Sequence, residues 1–160
     1  MKNDPVIVGI AQGNVVHKPR ELVSYALGSC VGLCLYDRSS GIAGMAHILL
    51  PSHRDAIDRT NPYKFADTGC SILLEEMLRE GACRRFITAK MVGGAKMFHT
   101  DGKTWGIGER NVKAVRETLA ALGICLIAED TGKDYGRTVT LDSASGIVTV
   151  TSVKHGIKVI

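Results

Sequence analysis

Apolar positions along this 160-residue chain fall mainly into short runs separated by glycine, proline, asparagine and aspartate. Runs of that length with those boundaries are the signature of strands joined by tight connections. They predict strands over residues 6–10, 22–25, 31–36, 42–50, 85–92, 124–129, 137–141, 147–151 and 157–160. Asp142-Ser-Ala-Ser-Gly146 reads as a hairpin loop, with glycine free to take a positive φ. Two stretches switch to helical periodicity. The first opens at Thr60-Asn61-Pro62, a cap followed by proline at the first helical position, and stops at Gly81. Phe65, Gly69, Ile72, Leu73 and Met77 share its buried stripe. The second runs from about Glu109 to Leu122, with Val112, Val115, Leu119 and Leu122 on one face and Gly123 as terminator. Mixed strands with two interspersed helices, no repeat and no linker predict a single domain over residues 1–160, of α+β or layered α/β class.

Composition narrows the function classes. With 45% apolar residues and no low-complexity segment, the chain can bury a substantial core. Its longest apolar stretches, such as residues 42–50, are too short to cross a bilayer. Met-Lys-Asn-Asp-Pro at the N-terminus lacks the apolar region of a signal peptide, so a cytoplasmic location without membrane insertion is expected. Five cysteines, an odd number without finger-like spacing, fit a reducing compartment. The net charge of +4 is scattered and aromatics make up only 5%, which argues against nucleic acid and weakly for an acidic protein partner.

One cysteine differs from the rest. Cys30 follows Leu27-Gly28-Ser29 at the mouth of a strand, and His47 stands in the next apolar run. Thiolate and imidazole are the minimum apparatus for attacking an amide carbonyl and protonating the departing nitrogen. Singly, each residue fits ordinary core use; their joint placement, with Gly28, Ser29 and Gly32 around the sulfur, points to a site. Whether they meet depends on the hairpin at Asp37-Arg-Ser-Ser-Gly41. A loop of residues 37–40 sets Cys30 directly opposite His47. A loop of residues 38–41 sets His47 opposite Gly32, with Cys30 its diagonal neighbour on the same face, roughly 7–8 Å away. A five-residue loop would put them on opposite faces.

Rival chemistries fit less well. Cys30 and Cys34 have CxxxC spacing, but four residues of strand span about 13 Å, too far for both to ligate one zinc. His53 and His99 sit in polar loop contexts, and no metal site is expected. Gly93-Gly94-Ala95-Lys96 and Thr131-Gly-Lys-Asp134 lack the full phosphate-loop pattern. Gly93-Gly94 after a buried strand would instead let backbone approach a substrate. The acidic residues show no pair spaced for acid/base work; Asp37 reads as the start of a turn.

Several motifs in order carry a family resemblance. Leu27-Gly-Ser-Cys-Val-Gly-Leu-Cys-Leu-Tyr-Asp37 is followed by Gly44-Met-Ala-His-Ile-Leu-Leu-Pro51 and Tyr63-Lys-Phe-Ala-Asp67. Then come Gly93-Gly-Ala-Lys-Met-Phe98, Ile107-Gly-Glu-Arg-Asn111, Ala128-Glu-Asp-Thr-Gly132 and Tyr135-Gly-Arg137. Over roughly residues 20–152 the chain resembles the chemoreceptor glutamine deamidases of the CheD family. The resemblance implies mixed β-sheets with flanking helices, similar to the catalytic domains of glutamine-deamidating toxins. It implies hydrolysis of receptor glutamine side chains to glutamate with release of ammonia, without a cofactor. It assigns Cys30 as nucleophile, His47 as general base and Ser24 as the hydroxyl assisting the histidine, where the family has threonine. Gly28, Ser29, Gly93 and Gly94 become the expected substrate and oxyanion region. Lys96 and Lys133 depart from the family's asparagine and glycine. The partners implied are chemoreceptor cytoplasmic domains and the phosphatase CheC; a non-catalytic module that binds the phosphatase or docks on receptors is the alternative.

Overall fold

In chain order the strands are β1 (Val6–Ile7), β2 (Gly13–His17), β3 (Glu21–Leu27), β4 (Val31–Asp37), β5 (Ile42–Ile48), β6 (Ile87–Gly93), β7 (Cys125–Thr131), β8 (Arg137–Asp142), β9 (Val148–Ser152) and β10 (Gly156–Val159). Helix α1 (Ala66–Arg79) lies between β5 and β6, and α2 (Ile107–Leu122) between β6 and β7. This computed structural model describes residues 3–97 and 106–160. The strands form two mixed sheets, ordered β1-β3-β8-β9-β10 and β2-β5-β4-β6-β7. Each contains one parallel pair, β1 with β3 and β6 with β7.

The burial pattern explains the stacking. Every residue of β5 is buried, and β4 nearly so, because both faces of these strands are covered. Val31, Leu33, Leu35, Ala46 and Ile48 pack with Leu73, Met77, Val115 and Leu119 of the helices. The alternate residues Cys30, Cys34, Ala43 and Met45 pack with Leu22, Leu27, Val139 and Leu141 of the other sheet. Helices, one sheet and the second sheet thus form three layers of an α+β fold. Strand β8 alternates buried and half-buried residues, as one covered face requires.

Several boundaries differ from the sequence reading. Asn61 and Pro62 open a single 3₁₀ turn, Pro62–Lys64, and the α-helix starts only at Ala66. Phe65 between them is extended, bridged in parallel to Leu50. That bridge also shortens the strand expected over 42–50: the amides of Leu49 and Leu50 turn to the Lys64 carbonyl. The first strand ends at Ile7 because the chain turns at Gly9, whose carbonyl accepts from Gln12. Helix α2 begins two residues before Glu109, and Gly123 closes it at φ 72°. Strand β2 has no counterpart in the expectations; only Val16 is fully buried in it.

The hairpin register places Asp37 opposite Ile42 and Gly32 opposite His47, so the loop comprises residues 38–41. Asp37 holds it. Its buried carboxylate accepts from the Ser39 amide (2.7 Å), the Ser39 and Ser40 hydroxyls (2.6 and 2.8 Å) and the Cys83 amide (2.7 Å). Burial opposes the charge, but these bonds overcome it and hold the pKa at about 2.

Candidate active site

His47 is fixed before its side chain is considered. Next to last in β5, it pairs with Gly32 of β4 on one side and with the residues just before β2 on the other. Its amide donates to the Gln12 carbonyl, and its own carbonyl accepts from Ala11, both at 2.9 Å. Alternation turns the imidazole to the face that packs on the other sheet, where Ser24 of β3 is fully buried. Ser24 Oγ lies 2.7 Å from His47 Nδ1 and donates to the Val8 carbonyl at 2.7 Å. A hydroxyl has one hydrogen. With that hydrogen on Val8, Nδ1 must be the donor to Ser24, so the lone pair of the neutral ring sits on Nε2. Nε2 is buried and has no hydrogen-bond partner among the described residues.

Cys30 immediately precedes β4, two residues before Gly32, and so takes the diagonal position to His47 on the shared face. Its loop is held by its carbonyls. Gly28 O accepts from the Ala95 amide (2.9 Å) and Cys30 O from the Gly94 amide (2.8 Å). Ser29 O, between them, accepts from the Asn111 carboxamide at 3.0 Å. In a trans peptide the N–H points opposite the preceding C=O. Three pinned carbonyls therefore turn the amides of Ser29, Cys30 and Val31 away from that wall. Cys30's own amide interacts with its thiol and partly offsets the rise in pKa that burial causes. Burial lowers the pKa of His47, with the Val8 carbonyl working against it. Both shifts favour a resting pair of thiol and neutral imidazole.

The absent Cβ atoms of Gly28, Gly93 and Gly94 let Met97, the Cys30 carbonyl and Val112, respectively, come close. Gly93 has φ 116°, and a Cβ there would overlap the Cys30 carbonyl oxygen. Gly94 has φ 63° and is backed by Val112. Met97 lies over Gly28. A cavity of about 100 Å³ opens beside Ser29, lined by Lys96, Met97, Ile107, Gly108 and Glu109. On the other side of Met97 a groove of about 740 Å³ runs past Tyr25, Ala26, Tyr135 and Arg137. Ala26, at φ 56°, marks a bulge in β3 that leaves Tyr25 exposed.

Two polar residues to which the sequence reading gave no role are central here. Asn111 is fully buried on the apolar stripe of α2, four residues before Val115. Arg137 is buried at the head of β8 opposite Leu27, donates to Gly132 O at 2.9 Å and stacks on Tyr135 with 4.5 Å to the ring centroid. Each interrupts a buried face, and a polar residue at an inward position is the signal that could have marked it. Lys133 occupies φ 60°, a conformation that favours glycine, and its carbonyl accepts from the Lys96 amide at 2.8 Å. The two departures noted in the sequence are thus neighbours in one loop pair.

The remaining candidates lie elsewhere. Cys34 faces the inter-sheet core, where burial pushes its thiol up to about 12. His53 Nδ1 bonds Asp67 at 2.7 Å, tying the segment after β5 to the start of α1. His99 and Phe98 lie outside the described residues. Among the described residues no group of three or more His, Cys, Asp or Glu could hold a metal ion, and no helix is long and apolar enough to cross a membrane.

Residues 49–152 match the family model for CheD chemotactic sensory transduction. Over full length the chain is 45% identical to a protein of Caldanaerobacter subterraneus subsp. tengcongensis and 42% identical to one of Clostridium novyi, each alignment covering 100% of both chains. A Methanosarcina acetivorans protein is 43% identical over 97% of this chain and 96% of its own. The first two bear the name "Probable chemoreceptor glutamine deamidase CheD", and the third the same name numbered 1. These alignments take in Ser24, Cys30 and His47, which precede the span matched by the family model.

Proposed function

The chain belongs to the CheD chemotactic sensory transduction family, and from that premise we propose that it deamidates glutamine side chains of chemoreceptors, acting as a cysteine amidohydrolase in the cytoplasm. The observation that carries the reading is the chain from His47 Nδ1 through Ser24 Oγ to the Val8 carbonyl. It leaves Nε2 as an unpartnered base on the face shared with Cys30.

In this reading His47 Nε2 takes the thiol proton as Cys30 Sγ bonds to the carboxamide carbon. Charge moves to the carboxamide oxygen, which the outward-turned amides of Ser29 and Cys30 stabilise. The Gly94 amide, already donating to Cys30 O, supports that loop from behind. The imidazolium returns its proton to the nitrogen, the C–N bond breaks and ammonia leaves a thioester. Water then loses a proton to Nε2 and adds to the thioester carbon. The C–S bond breaks, the sulfur regains its proton, and the product is glutamate. Each step uses only these residues and water. A CheC-type phosphatase as partner rests on the family resemblance and belongs to the same proposal.

The test is incubation with a receptor cytoplasmic fragment followed by peptide mass analysis. Deamidation adds about 1 Da per modified glutamine and releases one ammonia for each thioester formed. Association without any mass gain would instead favour the binding module.

A further inference from the structure

We infer that Asn111 is a positioning residue for the nucleophile: its carboxamide fixes the Ser29–Cys30 peptide against the strand that carries His47. The inference rests on the Cys30–His47 reading given above. Asn111 Nδ2 donates to Ser29 O and to Leu49 O, both at 3.0 Å. The two hydrogens of one NH₂ group therefore join the residue before the nucleophile to a residue two positions past the base. Of the three carbonyls that hold the loop, those of Gly28 and Cys30 are gripped by backbone amides; that of Ser29 alone is gripped by a side chain.

The surroundings are built for this reach. Gly108, one turn earlier on α2, lies so close to the carbonyls of Gly94 and Ala95 that a Cβ would overlap them. The helix thereby seats Asn111 against both the loop and the end of β5. A buried polar side chain on an apolar helix face is unfavourable unless its hydrogen bonds are made; Asn111 makes both donor bonds, while its Oδ1 has no partner among the described residues. Both of its N–H bonds are directed at the two segments that carry the nucleophile and the base. Because Ser29 C=O points to Asn111, the Cys30 N–H of the same peptide points the other way, to the side of its own thiol. Loss of the Asn111 donors frees that peptide to rotate. The Cys30 amide then stops favouring the thiolate and no longer meets the developing oxyanion. The defect falls on the chemical step and on thiol reactivity rather than on substrate binding.

The experiment compares Asn111→Ala, which removes the side chain, with Asn111→Leu, which keeps about its size and loses both donors. Cys30 alkylation by iodoacetamide, located by peptide mass, is followed against pH; ammonia release from a receptor cytoplasmic fragment gives kcat and KM. Both variants should lose about 10- to 100-fold in kcat with KM held within about twofold. Their Cys30 alkylation profile should move to higher pH. A merely structural residue would lower the folded fraction and leave kcat per alkylatable Cys30 and the pH profile unmoved, and that result overturns the inference. If neither variant folds, NMR of the wild-type chain decides. The Asn111 carboxamide protons should exchange slowly and shift when Cys30 is alkylated; fast exchange or no shift overturns the proposal. The alkylation profile needs no receptor, so deamidation that survived Cys30→Ala would defeat the functional reading and still leave Asn111 judged on its own.

Discussion

His47 Nδ1 and Ser24 Oγ lie 2.7 Å apart across the gap between the two sheets, and the Ser24 hydrogen is already committed to Val8 O. One hydroxyl thereby sets the tautomer of the histidine and its ring orientation. Ser24→Ala removes the hydroxyl bonded to Nδ1, leaving the Val8 carbonyl to act on the ring alone and loosening the hold on tautomer and orientation. The expected result is a fall in kcat of about 10- to 100-fold, in the range for mispositioned general bases. Ser24→Thr retains the hydroxyl and should stay within about threefold of wild type, since β-branching restricts rather than removes the productive rotamer. Wild-type kcat in Ser24→Ala would remove Ser24 from the mechanism.

Burial lowers the pKa of His47 and raises that of Cys30, each partly offset by a local backbone group. The acid limb of kcat/KM should therefore fall below the ordinary histidine value of about 6.5. Alkylation of Cys30 should still be rising with pH above the ordinary thiol value of about 8.5. An alkylation rate already at its plateau by mildly acidic pH would indicate a thiolate–imidazolium pair and contradict this. The same shift affects stability. As pH falls below the ordinary histidine value, an unfolded His47 takes a proton that the folded one refuses, so this contribution is lost on acidification.

At the alkaline end, burial first, with the Asp67 charge also acting on Cys70, pushes the thiols of Cys34 and Cys70 to about 12. An unfolded thiol ionises earlier, so stability declines as pH rises from the ordinary thiol value towards theirs. In the folded protein, alkylation at pH 8 should reach the exposed Cys83 and Cys125 and leave Cys34 and Cys70 unlabelled. Modification of Cys34 or Cys70 before unfolding, read by peptide mass, would contradict that.

Gly93 and Gly123 both have positive φ, but only Gly93 faces a carbonyl at Cβ distance. Gly123→Ala should cost about 1 kcal/mol for the left-handed conformation alone. Gly93→Ala adds overlap with Cys30 O and should cost upwards of about 3 kcal/mol, with loss of activity in whatever fraction folds. Denaturant midpoints of the two variants check the contrast; equal losses would show that the Cys30 contact imposes nothing.

Asp37→Asn keeps one acceptor oxygen where the carboxylate serves four donors. A loss of about 2–3 kcal/mol is expected, since hydrogen bonds to a buried charge are among the stronger ones. Because the folded pKa is held at about 2, the wild-type contribution is present above the ordinary aspartate value and is lost as pH falls towards that figure. The stability difference between wild type and Asp37→Asn should therefore shrink in acid.

Local pattern made much of the fold legible. Alternation and apolar runs found nine of the ten strands, and helical spacing with Gly123 marked α2. Strand β2 escaped because it lies on a sheet edge with glycine, asparagine and histidine among its five residues. At the hairpin, loops of residues 37–40 and 38–41 were both open; the carboxylate of Asp37, reaching Ser39, Ser40 and distant Cys83, accompanies the second. The Cys30–His47 face followed from that register. Ser24 did not, because its partner lies on another sheet and no short-range spacing encodes contact between sheets. Asn111 closes the motif Ile107-Gly-Glu-Arg-Asn111, but its targets at Ser29 and Leu49 are 82 and 62 residues away in sequence.

With Cys30 as the nucleophile of a deamidase, Cys30→Ala removes the chemistry and leaves the fold. Ammonia release from a receptor cytoplasmic fragment should fall from the wild-type rate to background while the variant still binds the fragment and melts as wild type does. Ammonia release at the wild-type rate from a homogeneous preparation of Cys30→Ala would exclude Cys30 as the nucleophile.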